Sequence, residues 1–230
     1  MTNMRNETKK KRNLEIVFKG KKYSFSIRAL IMFPIGSIIL AVLMIRFLEM
    51  RENFWWQEIT TKHAVFILNL CFNVGAEALF LPQYYFPWHI DIPGSVRTYI
   101  NHGCTYITSI SIFIAIIICT PHSQDPRTKE DIIWRKLKDI IFTLTIIYIF
   151  NIFRIAIQNY LYHIGFAWKL IHDSLAVLSI IVAVHIFTFL LCNNYIPEWY
   201  ISIYYSAKLI YNGIRAKPDS QKTYPKIIFK

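Results

Sequence analysis

Five stretches of this chain, residues 29–48, 64–81, 103–120, 140–160 and 170–192, are long and apolar enough to cross a bilayer, and nothing else in the sequence restricts the fold as much. A hydrocarbon core takes ~20 residues of helix, with a range of about 17–25. Their Ile, Phe and Tyr content favours strands residue by residue. A run of this length without polar alternation, however, satisfies its backbone in lipid only as a helix. Trp55, Trp56, Tyr84, Tyr85, Trp88, Trp134, Trp168 and Trp199 fall near the ends of the runs, where interfacial aromatic belts form. The expected fold class is an all-α integral membrane protein, a bundle of about five to six transmembrane helices with a short extracytoplasmic hairpin-like loop. Residues 198–214 read as an interfacial helix or a weak sixth span. The organisation is a basic tail over 1–28, a transmembrane bundle over 29–192, and an interfacial helix with a second basic tail over 193–230. No small-residue cleavage site follows the first apolar run, so it reads as a retained anchor.

The net charge is +12, which at first suggests a nucleic-acid binder. Nine Lys/Arg against two acids in residues 1–28, and six against one in residues 208–230, account for all of it, and the chain between them is neutral. The 54% hydrophobic and 17% charged residues argue against a soluble enzyme, and the charge reads as topological. Lys9–Arg12 would set topology or touch anionic headgroups rather than nucleic acid.

Cationic residues in short loops set orientation. Loop 121–138 carries Arg127, Lys129, Arg135, Lys136 and Lys138, whereas loops 82–102 and 161–168 carry only Arg97. Loop 121–138 and the C-terminal tail are therefore expected inside, the other two loops outside. Three of the five spans separate the basic N-terminus from loop 121–138, so five simple crossings cannot put both inside. An early segment is re-entrant or interfacial, or a crossing near residues 49–62 is missing, or the rule fails at the N-terminus. Residues 64–81 are the softest span because Asn69, Asn73, Gly75 and Glu77 lie in them.

Ionisable groups in or at the ends of spans mark functional sites by default. Cys104 opens the third span, Arg154 lies near the end of the fourth and His172 starts the fifth, so alternating spans bring all three to one rim, the outer one. A Cys beside an imidazole is a thiolate nucleophile with a proton carrier, and a guanidinium can hold an oxyanion. Taken singly, each has a structural reading: Cys104 as a small core hydrophobe like Cys71, Cys119 and Cys192, Arg154 as a snorkelling anchor, His172 as a packing residue. His102 and His163 are rivals for the base. Asp173 follows His172, but adjacent helical residues point apart, which makes it a poor orienter of the ring. Asn151, Arg154 and Gln158 share one helical face, as do Cys104, Thr108 and Ser111. Asn69, Asn73 and Glu77 read as a polar seam facing the bundle. Loop 82–102 holds strand-like pieces at 88–92 and 96–100, either a roof over the site or a linker. The cysteine spacing suits neither a metal nor a disulfide framework, and no cofactor is expected.

The segments NHGCTYITSIS (residues 101–111), NIFRIAI (151–157) and WKLIHDSL (168–175) resemble the exosortase and archaeosortase family of membrane-embedded transpeptidases. The match covers about the latter two-thirds of the chain. It implies a catalytic set of Cys104, Arg154 and His172, with Asn151, Thr105, Thr108 and Gln158 in support. Tyr106 stands where the family often has Gly. The resemblance implies secreted protein substrates with a C-terminal signal made of a short motif, one transmembrane helix and a basic tail. Cys104 would form a thioester that an acceptor, such as an amine on a membrane lipid, resolves; cleavage without transfer stays open. A non-catalytic scaffold or small transporter with a polar rim site is the alternative, and it requires polar residues to continue through the bundle to the inner face.

Overall fold

The computed structural model describes residues 13–50, 54–188, 195–215 and 227–228. Lys9–Arg12, Cys192 and most of the C-terminal basic tail lie outside the described residues. The chain is mostly helical, with three helices long and apolar enough to span a membrane: Ile27–Leu48, Pro126–His163 and Trp168–Thr188. A shorter apolar helix covers Ile107–Cys119. Large apolar side chains such as Ile38, Leu43, Phe66, Ile141 and Leu178 point outward, as lipid-facing surfaces do.

The first described segment is not a tail. Strands β1 (Asn13–Phe18) and β2 (Lys21–Ser26) pair antiparallel, and β6 (Ile227–Ile228) adds parallel to β1. Lys19 and Gly20 both have positive φ, 49° and 72°, the two-residue turn whose twist suits a hairpin. Alternation buries Ile16, Tyr23 and Phe25 against Leu30 of helix α1 (Ile27–Leu48) and Ile201 and Tyr205 of helix α7 (Pro197–Arg215). Burial and the nearby Glu198 carboxylate push the Tyr23 phenol above its ordinary range, against a smaller opposing effect of Arg135.

In α1, Pro34 removes the amide hydrogen that would bond the Leu30 carbonyl. Ser206 of α7 supplies the missing donor, with its Oγ 2.6 Å from that oxygen. One sequence-specific hydrogen bond thus satisfies the helix break and docks α7.

Helix α2 runs Trp55–Phe72 and ends there, with Asn73 in a left-handed cap (φ 50°). The expected span over residues 64–81 is therefore corrected: its second half leaves the helix and forms strand β3 (Glu77–Phe80). The polar seam dissolves with it. Asn69 bonds both the N–H and the C=O of Ala76 and pins the turn, while Asn73 and Glu77 are exposed. Strands β4 (Trp88–Asp91) and β5 (Thr98–Tyr99) complete a second antiparallel sheet in the order β3-β4-β5. Side-chain bonds from Thr98 to Asn159 (2.6 Å) and Ser95 to His163 (2.6 Å) fasten it to the end of helix α5.

Helix α5 (Ile132–His163) is the spine, ~48 Å long at 1.5 Å per residue. Between Lys136 and Asn151 it packs antiparallel to helix α3 (Ile107–Cys119): Lys136 Nζ donates to the Ile118 and Thr120 carbonyls, and Asn151 bonds Cys104. Its second half packs parallel to α2, with Trp56 and His63 against Tyr148 and Phe72 stacked on Tyr160 at 4.0 Å. Of the first three long helices, α1 and α2 therefore advance in the same direction and α3 returns. Accordingly, Ser24 meets Ser123 (3.0 Å) and Gln124 (2.7 Å), which sets the chain entering α1 beside the chain leaving α3. The N-terminal strands and loop 121–131 share one end of the bundle.

Helix α4 (Pro126–Lys129) belongs to that end, as does the start of α7, where Glu198 is fully buried and paired with Arg135 at 2.8 and 3.1 Å. Arg135 also donates to the Thr128 and Tyr195 carbonyls. Arg135→Ala strands the Glu198 charge and is expected to destabilise the protein by about 3–5 kcal/mol. Thermal unfolding in detergent, with Arg135→Lys as an intermediate case, measures this.

Candidate active site

The site forms where the sheet, α3, α5 and helix α6 (Trp168–His185) meet. Asn101 has extended backbone and its side chain accepts from the Cys104 N–H at 2.8 Å, capping a short 3-10 turn over His102–Thr105. The turn closes on Tyr106, whose backbone is left-handed (φ 55°, ψ 18°). That conformation costs an L-residue ~1–2 kcal/mol and favours Gly. The Tyr106 ring offsets part of this: the Arg154 guanidinium carbon lies 5.0 Å from its centroid.

This turn also corrects a sequence expectation. Cys104 sits in the 3-10 turn, so the left-handed residue breaks the α-helical register between it and α3. Thr108 consequently faces outward, whereas Cys104, Thr105 and Ser111 are buried. Thr105 anchors the turn at both polar groups: its hydroxyl bonds the His102 carbonyl at 2.8 Å, and its own carbonyl accepts from Trp56 Nε1 at 3.2 Å.

From α5, the buried Asn151 donates to the Cys104 carbonyl at 2.8 Å, with its Oδ1 left without a partner among the described residues. One turn on, Arg154 is 6% exposed, and its Nε and Nη2 have no hydrogen-bond partner among the described residues. Gln158, also buried, continues the same face. Asn151→Leu orphans the Cys104 carbonyl and is expected to cost about 1–3 kcal/mol, read as a lowered melting temperature, together with a shift in the reactivity of the thiol.

From α6, the His172 side chain lines the same cleft as the Cys104 thiol, within interaction range of it and of the Arg154 charge. Its ring stacks on Trp168, which in turn meets Tyr162 edge-on. Asp173 does reach it, Oδ1 to Nδ1 at 3.2 Å, contrary to the expectation for adjacent residues. Nδ1 is the ring nitrogen nearest the backbone, and a short carboxylate can meet it from the next position. The two rival histidines are engaged elsewhere, His163 by Ser95 and His102 by Gln57 and the Phe86 ring.

Cys104 and His172 line a cleft of about 280 Å³, walled also by Arg97, Tyr99 and Asn101 of the sheet side and Trp168 of α6. The sequence reading missed Asn101, Trp56, Tyr106 and Trp168. An Asn three residues before a Cys at a helix start is a legible capping signal; the other three reveal themselves only through tertiary contact. Cys71 is exposed, not in the core, and Cys119 is half-buried. Among the described residues no cluster of three or more His, Cys, Asp or Glu side chains could hold a metal ion. Comparison with known protein families, curated proteins and solved structures yields no match to this chain.

Proposed function

We propose that this protein is a membrane-embedded cysteine transpeptidase or protease of the exosortase and archaeosortase kind, acting at the outer rim of the bilayer on secreted proteins with a C-terminal signal. The observation that carries this reading is Cys104 and His172 lining one open cleft, with the buried Arg154 nearby, its Nε and Nη2 without a partner among the described residues. The left-handed Tyr106 supports it too, because it stands where the family often has Gly.

In this reading His172 takes the thiol proton, with Asp173 holding Nδ1 and Nε2 left for transfer. The sulfur attacks a substrate carbonyl and forms a tetrahedral oxyanion, which the unpaired donors of Arg154 stabilise. Collapse breaks the peptide bond. The leaving amine carries off the proton from His172, and a thioester remains on Cys104. An acceptor, a lipid amine or water, gives its proton to His172 and attacks the thioester, returning the thiol.

Four crossings, α1, α3, α5 and α6, reconcile the charges. The end of the bundle bearing Lys21, Lys22, Arg127, Lys129 and Arg135 is then cytoplasmic, and the second sheet extracytoplasmic. The conduit alternative draws on Thr143 and Asp139, buried nearer the start of α5. Ile147, packed with Ile110, Phe113 and Ile117, interrupts that line and favours a closed rim site.

The test is co-expression with a secreted protein from the same genome that bears such a tripartite tail. The expected result is a shortened product and a hydroxylamine-labile acyl group on Cys104. A tail left intact by the wild-type protein, for every such candidate, would sink the proposal.

A further inference from the structure

We infer that the open edge of β5 binds an extended polypeptide as a fourth strand, main chain to main chain, and thereby lays a carbonyl against Cys104. This rests on the reading of Cys104 as a nucleophile. It adds how the substrate is held.

In the order β3-β4-β5, β5 is an end strand. Tyr99 pairs with His89, and the Ile100 N–H donates to the Trp88 carbonyl at 2.9 Å. A bond from the residue after Tyr99 to the residue before His89 makes Tyr99–His89 a non-hydrogen-bonded pair. In such a pair the N–H and C=O of each residue point away from the partner strand. Those of Tyr99 therefore point to the open side, and Arg97, two residues back, has the same phase. Tyr99 is 53% exposed, and it lines the cleft that also contains Cys104 and His172. The free edge and the thiol thus share one wall, five residues apart in sequence.

An edge that offers alternating donors and acceptors is complemented by another extended main chain. The cleft, about 280 Å³, is at the small end of ligand pockets, which run ~300–1,000 Å³. That space suits a narrow extended segment rather than a helix. A thiol nucleophile in turn needs a carbonyl presented at fixed distance, which strand pairing in a fixed register supplies.

The experiment uses the full-length protein in detergent and the probe N-acetyl-Ala-Ala-Ala-chloromethyl ketone. Its methylene is attacked by the Cys104 sulfur, forming a thioether with loss of chloride. Labelling is quantified on the Cys104 peptide by mass, alongside iodoacetamide as a probe without a peptide main chain. Methylating each amide nitrogen of the probe in turn is expected to slow labelling at least tenfold at one position. In Tyr99→Pro, which removes an N–H facing the open edge and none facing β4, the ratio of peptide to iodoacetamide rates should fall at least tenfold, against less than threefold in Tyr99→Ala. Equal rates for all methylated probes, or equal ratios for the Pro and Ala variants, would overturn strand addition while leaving the nucleophile intact. Failure of both reagents to label Cys104 would instead overturn the nucleophile, and strand delivery with it.

Discussion

Cys104→Ala is expected to leave the C-terminal helix of a co-expressed substrate attached, with processing reduced on the order of 10⁴-fold or more. The size follows from the chemistry, since among the described residues no second thiol or aliphatic hydroxyl is poised to replace Cys104. The hydroxyls of Thr105 and Thr108 are respectively bonded to the His102 carbonyl and turned outward. Because Cys104 is small and the turn is held by Asn101 and Asn151 through backbone groups, alanine should fold normally. Immunoblotting of the substrate measures the effect, and unchanged processing by a folded Cys104→Ala protein would remove the thiol from the mechanism.

Arg154 separates function from stability. Arg154→Lys keeps the charge but loses the planar fork of donors, and a fall in turnover of about 10²–10³-fold is expected if those donors hold the oxyanion. Arg154→Met should be as inactive yet more stable. A buried cation without a hydrogen-bonded carboxylate costs several kcal/mol of desolvation, and a thioether of similar length removes that cost while filling the space. A higher melting temperature combined with lost processing is the signature of a residue retained for chemistry. A lower melting temperature in Arg154→Met would point to a structural role in the stack on Tyr106.

The long apolar runs were legible as helices because lipid leaves the backbone no other way to satisfy itself. Residues 29–48, 140–160 and 170–192 read as spans, and the structure has spanning-length apolar helices at Ile27–Leu48, Pro126–His163 and Trp168–Thr188. The failure over residues 64–81 has an equally physical origin. Apolar content continues past Phe72, but Asn73 and Gly75 take positive φ and Asn69 captures Ala76, so local backbone geometry ends the helix where hydropathy does not. The hairpin at residues 13–26 was hidden for the opposite reason. Its lysines dominate the composition, while the alternation of Ile16, Tyr23 and Phe25 that defines it needs α1 and α7 to pack against.

At the candidate site, sequence order alone placed Cys104, Arg154 and His172 on one rim, because consecutive spans reverse direction. It also yielded the Asn151–Arg154–Gln158 face, since one unbroken helix carries all three. The face assigned to Cys104, Thr108 and Ser111 failed at a single left-handed residue, Tyr106. Periodicity cannot anticipate this where the residue is not Gly.

What the sequence determined by itself, then, is the solvent its helices suit: neutral apolar runs between basic ends give helices long and apolar enough to span a membrane, and the few ionisable groups within them stand out as candidates for function. Only the tertiary structure decided which of these groups meet. His172 had His102 and His163 as rivals in the sequence, and in the structure it is His172 that lines the cleft with Cys104, while Ser95 engages His163 and Gln57 engages His102. Only the tertiary structure, likewise, could bring the basic N-terminal strands and loop 121–131 to one end. Whether α2 returns or advances is set by packing along α5, a long-range choice that no local pattern of residues encodes.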